Sequence, residues 1–484
     1  MRLGPTLKVL GIIVIFFSFT MVPPIWINWI YAQDNSHAFY IGFLITFILG
    51  IVIYLPNKKT KKELRPKDGF IIVLLIWLVV AICGAIPYMY SNGLKLHFIQ
   101  ALFESMSGYS TTGATVITGL DNLPKSILYY RQQSQFFGGM GIIVLVIAVL
   151  PLIGVGGMQL YRAEANGPWK ENKLTPRIMA TAKALWFIYI MLTLLCILFY
   201  KIAGMSWFDS ICYAYSTIGT GGFAPHDKSI EFYGTPPIYI VCMVFMVLSA
   251  TSFALHFLSL KTLNILKYWK DAEFRGFVYF IGSMGIIVSF VLIGTGYYPQ
   301  HNQALWHGFF QVVSFGTNTG FTSTSDYSSW PLFIPILLAI IGLIGGCAGS
   351  TSGGLKIIRA ILVRKQAIRE MYKLIHPNGV FPIKLGDKVM SESVVNSVWG
   401  FIAGYFLVFI IAWLLLMASS VDQITAFSAV AACISNVGPG IGGVSVNYAN
   451  LPDSAQIILG AVMLIGRLEV FTVLVLFVPD FWRR

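Results

Sequence analysis

The sequence predicts an all-α integral membrane protein: four pseudo-symmetric helix–pore loop–helix repeats around one central pore, preceded by two extra N-terminal transmembrane helices. Three observations carry this. Hydrophobic residues make up 56% of the 484-residue chain and charged residues only 11%, against about 25% charged in soluble domains. Apolar runs long enough to cross a ~30 Å hydrocarbon layer recur, with room for roughly ten. And a short run of hydroxyl, amide and glycine residues returns four times at the same point of that pattern: residues 107–113, 216–222, 314–320 and 432–438.

Residues 7–30 read as the first span; a cleaved signal peptide fits worse, because the run is long and no A-x-A-like site follows. A second span covers about 39–55. The dense basic loop from Asn57 to Lys67 belongs in the cytoplasm by the positive-inside rule, which puts the N-terminus there too. The chain then runs through four similar units, each an apolar span, a segment too short to cross, the small-residue loop and a second span. First spans fall at about 70–90, 184–204, 274–297 and 396–418, and second spans at about 138–155, 236–260, 331–363 and 454–479. The loop glycines Gly113, Gly222, Gly320 and Gly438 recur roughly every hundred residues, a period suited to a duplicated membrane module. This divides the chain into an N-terminal two-helix unit (1–68) and repeats at 69–160, 161–265, 266–375 and 376–484.

Charge fits the same topology. Lys and Arg crowd the inner loops: Arg162, Lys170, Lys173, Arg177 and Lys183, then Lys261, Lys267, Lys270 and Arg275, then Lys356 through Lys388. The outer segments hold few amines, Arg131 among them, against Asp34, Glu104, Asp121, Asp209, Asp227, Glu231, Asp326, Asp422 and Asp453. Both termini are expected inside, and an acidic outer face draws cations to whatever opens there. The net charge of +13 is spread over all the inner loops, which argues for topological sorting beside a lipid bilayer and against a nucleic-acid partner. Six cysteines in apolar segments, without CxxC spacing, indicate packing and neither zinc nor disulfides.

Non-helical backbone survives at membrane depth only when buried in protein or lining an aqueous cavity. The four loops are therefore expected to converge on one axis. Their candidate ion-binding residues are Ser110, Thr111, Thr112 and Gly113; Gly219, Thr220, Gly221 and Gly222; Thr317, Asn318, Thr319 and Gly320; and Ser435, Asn436, Val437 and Gly438. Peptide carbonyls there, with the hydroxyls of Thr111, Thr112, Thr220 and Thr319, can replace the water around a dehydrated cation. Helix caps and turns explain one such loop easily and four in equivalent places poorly. A cage without carboxylates favours a large monovalent ion, since Ca²⁺ and Mg²⁺ sites recruit Asp or Glu; potassium is the expected cargo. The segments before the loops, such as His97 to Met106 and Trp306 to Val313, have the length of short pore helices whose C-terminal ends would add negative potential.

In the third repeat Gly345, Gly346, Cys347, Ala348, Gly349, Ser350, Thr351, Ser352, Gly353 and Gly354 interrupt a segment otherwise long enough to cross. Glycine costs about 1 kcal/mol against alanine in a helix, so five in ten residues should break it. The preferred reading is a movable plug below the loops, the alternative a small-residue packing face. Arg467 lies mid-span, where a lone cation costs at least ~2.5 kcal/mol. It is expected to face the pore or to pair with Glu469 or with plug carbonyls, as an electrostatic barrier or as a structural ion pair. Gly438 to Gly443 satisfies GxGxxG but lacks the βαβ setting of a dinucleotide fingerprint, and His256 reads as a core histidine.

The four loops, the Phe137 to Leu145 stretch and the Gly345 to Lys356 segment resemble the TrkH branch of the Trk/Ktr/HKT potassium transporters over nearly the whole chain, including the two N-terminal spans absent from KtrB. The resemblance implies a pseudo-fourfold pore with filter glycines at Gly113, Gly222, Gly320 and Gly438. It also implies a gating loop at Gly345 to Gly354 and a pore arginine at Arg467. Serine at the first glycine goes with sodium transport in plant relatives, so Gly113 points to potassium. It further implies a homodimer in the bacterial inner membrane that docks on a cytoplasmic nucleotide-binding ring, TrkA, so nucleotide is expected only on that partner and no covalently bound cofactor on this chain. The fourth loop departs, with Val437 and Pro439 and no Thr. A gated conducting subunit is the first reading. A proton- or sodium-coupled symporter with alternating access is the second, and a membrane enzyme lacks the convergent ionisable groups it would need.

Overall fold

The computed structural model describes residues 3–60, 66–94, 96–141, 178–331, 333–386 and 388–483. Helix α1 (Leu3–Ser18) runs through one tight turn into α2 (Val22–Ile30), whose prolines sit in the first turn, where no intrahelical N–H is needed. Antiparallel to α1 lies α3 (Ser36–Asn57). Their backbones meet through glycine: a β-carbon on Gly11 would sit 2.7 Å from the Tyr54 nitrogen, and one on Gly50 would sit 2.8 Å from that of Ile15. Such small-residue contact is how helices associate where burial from water offers no driving force.

The first repeat follows with α4 (Pro66–Tyr90), the short α5 (Phe98–Tyr109) and α6 (Lys125–Phe136). The second has α7 (Ile178–Ile202), α8 (Trp207–Gly219), α9 (Pro236–Ser249) and α10 (Phe253–Thr262). In the third come α11 (Ala272–Gly294), α12 (His301–Gly316), α13 (Ile334–Ile344) and α14 (Ile357–Ile375). The fourth has α15 (Glu392–Ala418), α16 (Gln423–Ile434), α17 (Asp453–Arg467) and α18 (Val470–Leu474). A two-residue hairpin, Lys384–Leu385 with Lys388–Val389, is the strand pairing among the described residues. The first span of each repeat shows large apolar side chains outward, such as Phe187, Leu194 and Leu198 on α7, as a lipid-facing surface requires. The short helices α5, α8, α12 and α16 are buried over most of their length and end at the four small-residue loops.

The second spans differ from expectation. Only the third was expected to break, and it does. Yet α9 and α10 also meet at 96°, and α17 turns by 109° into the helical segment that begins with α18. Neither break carries a glycine cluster: the corners are Ala250-Thr251-Ser252 and Leu468-Glu469. In the first repeat the helix starts at Lys125, not at 138, and passes into a π-turn at Phe137–Gly141; the rest of the expected 138–155 span lies outside the described residues. Among the described residues six helices are long and apolar enough to cross a membrane, eight if each bent pair counts as one. Charge placement is corrected at four residues: Glu104 and Arg131, counted as outer charges, and Lys356 and Arg359, counted with the inner loops, are all buried.

Candidate functional site

All four loops have one backbone. In each, a residue in the left-handed region is followed two positions on by a glycine with φ near +80° or above: Thr111 (+57°) and Gly113 (+82°), Thr220 (+50°) and Gly222 (+79°), Asn318 (+56°) and Gly320 (+82°), Asn436 (+54°) and Gly438 (+95°). The residue between them donates its N–H back to the preceding helix each time. Thr112 reaches the Ser107 carbonyl at 2.9 Å, Gly221 that of Ser216 at 2.8 Å, Thr319 that of Ser314 at 2.9 Å, and Val437 that of Ala432 at 2.9 Å.

The glycines reveal how the loops meet. A β-carbon on Gly113 would collide with the Gly221 carbonyl oxygen, one on Gly222 with that of Thr319, one on Gly320 with that of Val437, and one on Gly438 with that of Thr112. Each loop therefore abuts the next in chain order and the fourth closes on the first. The four loops form a ring, and no side chain larger than hydrogen fits at the four closest approaches. The divergent fourth loop keeps the shared backbone in spite of Val437 and Pro439.

Three of the four threonine hydroxyls expected to face an ion make hydrogen bonds within the protein. Thr112 Oγ1 lies 2.7 Å from Ser110 Oγ and accepts from Asn436 Nδ2 at 2.9 Å. Thr220 Oγ1 donates to the Gly219 carbonyl, and Thr319 Oγ1 pairs with Thr317 Oγ1 at 2.8 Å. Thr111 Oγ1 is buried without such a bond. The backbone carbonyls, more than the hydroxyls, are the oxygens this ring gathers.

Two kinds of scaffold hold it. Behind the first two loops stands a fully buried pair: Arg131 Nε donates to Glu104 Oε1 at 2.9 Å. Glu104 also accepts from Val116 N at 2.9 Å and from Thr115 Oγ1. Arg131 reaches the Ala224 carbonyl of the second loop at 3.1 Å and lies over the Phe223 ring. Gln135 donates to the Gly221 carbonyl at 2.6 Å and accepts from Phe223 N at 3.0 Å. Behind the third and fourth loops stand amides. Asn318 Nδ2 donates to the carbonyls of Gly342 at 2.7 Å and Ser435 at 2.9 Å, while Asn436 Nδ2 reaches Met463 O at 3.0 Å besides Thr112.

Beneath the ring the broken second spans make a collar. Residues 345–356 cross from α13 to α14 and bond to the corner of the second repeat, Cys347 N to Ala250 O at 2.8 Å and Phe253 N to Gly349 O at 3.0 Å. Arg467 Nη1 donates to Thr351 O at 2.9 Å, and Nη2 to the Gly138 carbonyl at 2.5 Å and to that of Gly139. Of the alternatives expected for Arg467, a bond to a carbonyl of residues 345–354 is present. The alternative partner Glu469 is bound elsewhere, to Arg359 Nη2 at 2.8 Å.

On the side where the short helices begin, His226 lies 2.5 Å from Asp121 and 3.6 Å from Asp209, stacked on Phe232. Burial alone would lower the imidazole pKa; pairing with Asp209 and Asp121 outweighs it and raises the pKa above its ordinary value. Burial likewise opposes ionisation of Asp209, but bonds from His226, Tyr233 and Ser206 hold its pKa below the usual carboxylate range. His256, the histidine that the sequence reading assigns to the core, is buried between Tyr268 Oη at 2.7 Å and Leu248 O at 2.9 Å, as expected.

Sequence reading missed Glu104, Arg131, Gln135 and the bridging roles of Asn318 and Asn436. One signal was available: Glu104 and Gln311 both stand nine positions before a ring glycine, and each accepts the N–H three positions after it, Val116 and Ser323 respectively.

Comparison with known proteins agrees with this architecture. The family model described as "TrkH: Cation transport protein" matches residues 35–484. The "Trk system potassium uptake protein TrkH" of Halomonas elongata is 47% identical over 484 residues, covering 100% of both chains. That of Escherichia coli K12 is 47% identical over 477 residues, covering 99% of each. The crystal structure of the potassium transporter TrkH from Vibrio parahaemolyticus superposes with a TM-score of 0.91 at 41% identity, covering 100% of both chains. A ring of four equivalent loops on a matching backbone and this extent of identity lead to one conclusion: the chain belongs to the TrkH cation transport family.

Proposed function

We propose that the chain is the conducting subunit of a potassium uptake system. Its four loops, Ser110 to Gly113, Gly219 to Gly222, Thr317 to Gly320 and Ser435 to Gly438, are the selectivity filter; Gly345 to Gly354 with Arg467 are the gate. The observation that carries this reading is the cyclic fit of four glycines against four neighbouring carbonyls, which gathers uncharged oxygens as a dehydrated monovalent cation needs. Glu104 does not change that chemistry, because Arg131 neutralises it behind the loops. The short helices end at the ring, so their C-terminal dipoles add negative potential there.

On this reading His226 and its carboxylates face outside, both termini lie in the cytoplasm of a bacterial inner membrane, and the repeats divide near residues 68, 160, 265 and 375. The chain works as a homodimer on a cytoplasmic nucleotide-binding ring of the TrkA kind, which holds the nucleotide. An inside-negative potential supplies ~2.3 kcal/mol per charge per 100 mV. The test is uptake of radioactive rubidium into proteoliposomes with and without an imposed voltage. Uptake that follows voltage without a proton or sodium gradient supports conduction; uptake that requires either gradient overturns it in favour of coupled symport.

A further inference from the structure

The third ring loop is tied to the glycine-rich loop by a relay that neither the fold nor the glycines require. Gly346 N donates to Ser352 Oγ at 2.9 Å, and Ser352 Oγ donates to Asn318 Oδ1, also at 2.9 Å. Both amide hydrogens of Asn318 are committed, one to Gly342 O at the end of α13 and one to Ser435 O in the fourth loop. Asn318 and Ser352 are buried. A second contact runs parallel: a β-carbon on Gly353 would strike the same Ser435 carbonyl, and one on Gly345 would lie 2.6 Å from Asn318 Oδ1. Two glycines of the crossing loop thus rest directly on the parts of the ring that Asn318 holds. The first two loops have no such amide at the corresponding positions, where Thr111 and Thr220 stand.

We infer that Asn318 is a positioning residue through which the glycine-rich loop sets the shape of the third and fourth ring loops, so that displacing the loop alters which ion passes as well as how much. When the loop withdraws, Asn318 Oδ1 loses its donor. A buried amide oxygen without a partner is unfavourable, so the side chain reorients and releases the Ser435 carbonyl it steadies. The inference rests on the filter and gate assignments proposed above.

The experiment uses the full chain in proteoliposomes and measures rubidium and sodium uptake separately. Ser352→Ala removes the relay without touching a ring residue. It is expected to lower the rubidium-to-sodium ratio severalfold. Asn318→Gly, which accepts the positive φ, is expected to lower it at least as far, and the double variant no further than Asn318→Gly alone. A Ser352→Ala ratio equal to that of the native chain, whatever its total flux, overturns the coupling; so do additive effects in the double variant. Ser352→Ala decides by itself should Asn318→Gly fail to assemble. Gly320→Ala separates the two levels. If it moves the ratio while Ser352→Ala does not, the coupling alone fails; if it leaves the ratio unchanged, the filter reading fails and takes the coupling with it.

Discussion

The two halves of the ring reach one backbone by different means. The first and second loops lean on a buried ion pair and a glutamine from α6, whereas the third and fourth are joined by the amides of Asn318 and Asn436 to helices that break just beneath them. The charged pair is not needed to cap the loop: Gln311 does the same for Ser323 N, and Ser428 Oγ accepts from Ile441 N at 2.9 Å. What the carboxylate adds is a hold on Arg131, and through it on the neighbouring loop. One half is thus braced against charge and the other is wired to the collar. The same φ pattern does not imply the same mechanical freedom.

The largest expected effect breaks the brace. Arg131→Met leaves Glu104 buried and unpaired, a situation that costs about 3–5 kcal/mol, and should markedly lower the unfolding temperature of the detergent-solubilised protein. Adding Glu104→Gln should recover much of it, because Gln311 already serves at the corresponding place. Next, Arg467→Ala removes charged hydrogen bonds that join the first, third and fourth repeats. At about 1.5–3 kcal/mol for such bonds, partner-independent rubidium flux should rise roughly tenfold or more in proteoliposomes; unchanged flux would remove the barrier role. Asn436→Ala strips donors from Thr112 and Met463 and should cost about 1–3 kcal/mol in the same unfolding assay. Thr111→Asn at the corresponding place should cost little, since Asn tolerates positive φ better than a β-branched residue.

Gly113→Ser tests the braced half from within. Its β-carbon must push aside the Gly221 carbonyl that Gln135 pins, and the rubidium-to-sodium ratio should fall about tenfold, ~1.4 kcal/mol of discrimination. The smallest effect is pH-dependent. The raised pKa of His226 means that its stabilisation is fully present below the unfolded value and fades as pH rises through the folded one. The lowered pKa of Asp209 means that its own contribution is lost only as pH falls through the acid range. Thermal stability should therefore decline modestly on the alkaline side, and His226→Gln should flatten that slope.

Much of this was legible in the sequence. Hydropathy marks the first spans because lipid demands apolar residues on one whole surface, and four recurring loops mark the ring because only small residues permit it. The start of α6 was missed because Arg131-Gln132-Gln133-Ser134-Gln135 reads as polar and exterior. Those side chains are all buried, Arg131 and Gln135 against the loops they support, and charge counting records sign, not depth. The corners at residues 250–252 and 468–469 were missed because no glycine or proline falls within them; the bond from Cys347 N to Ala250 O, which helps to hold the first, is a tertiary contact. For Arg467 the sequence leaves the pore, Glu469 and the carbonyls of residues 345–354 open, and the Gly138 and Gly139 carbonyls on a different repeat are not foreseeable from spacing.

That a single polypeptide supplies all four quadrants bears on how such an aperture can change. In an assembly of identical subunits, any substitution lands in quadruplicate, so small adjustments are hard to make. Here Val437 and Pro439 occupy one quadrant while the other three keep their own residues, and Gly438 still closes against Thr112. Each quarter can drift separately, which lets the passage be tuned in fine, unequal steps.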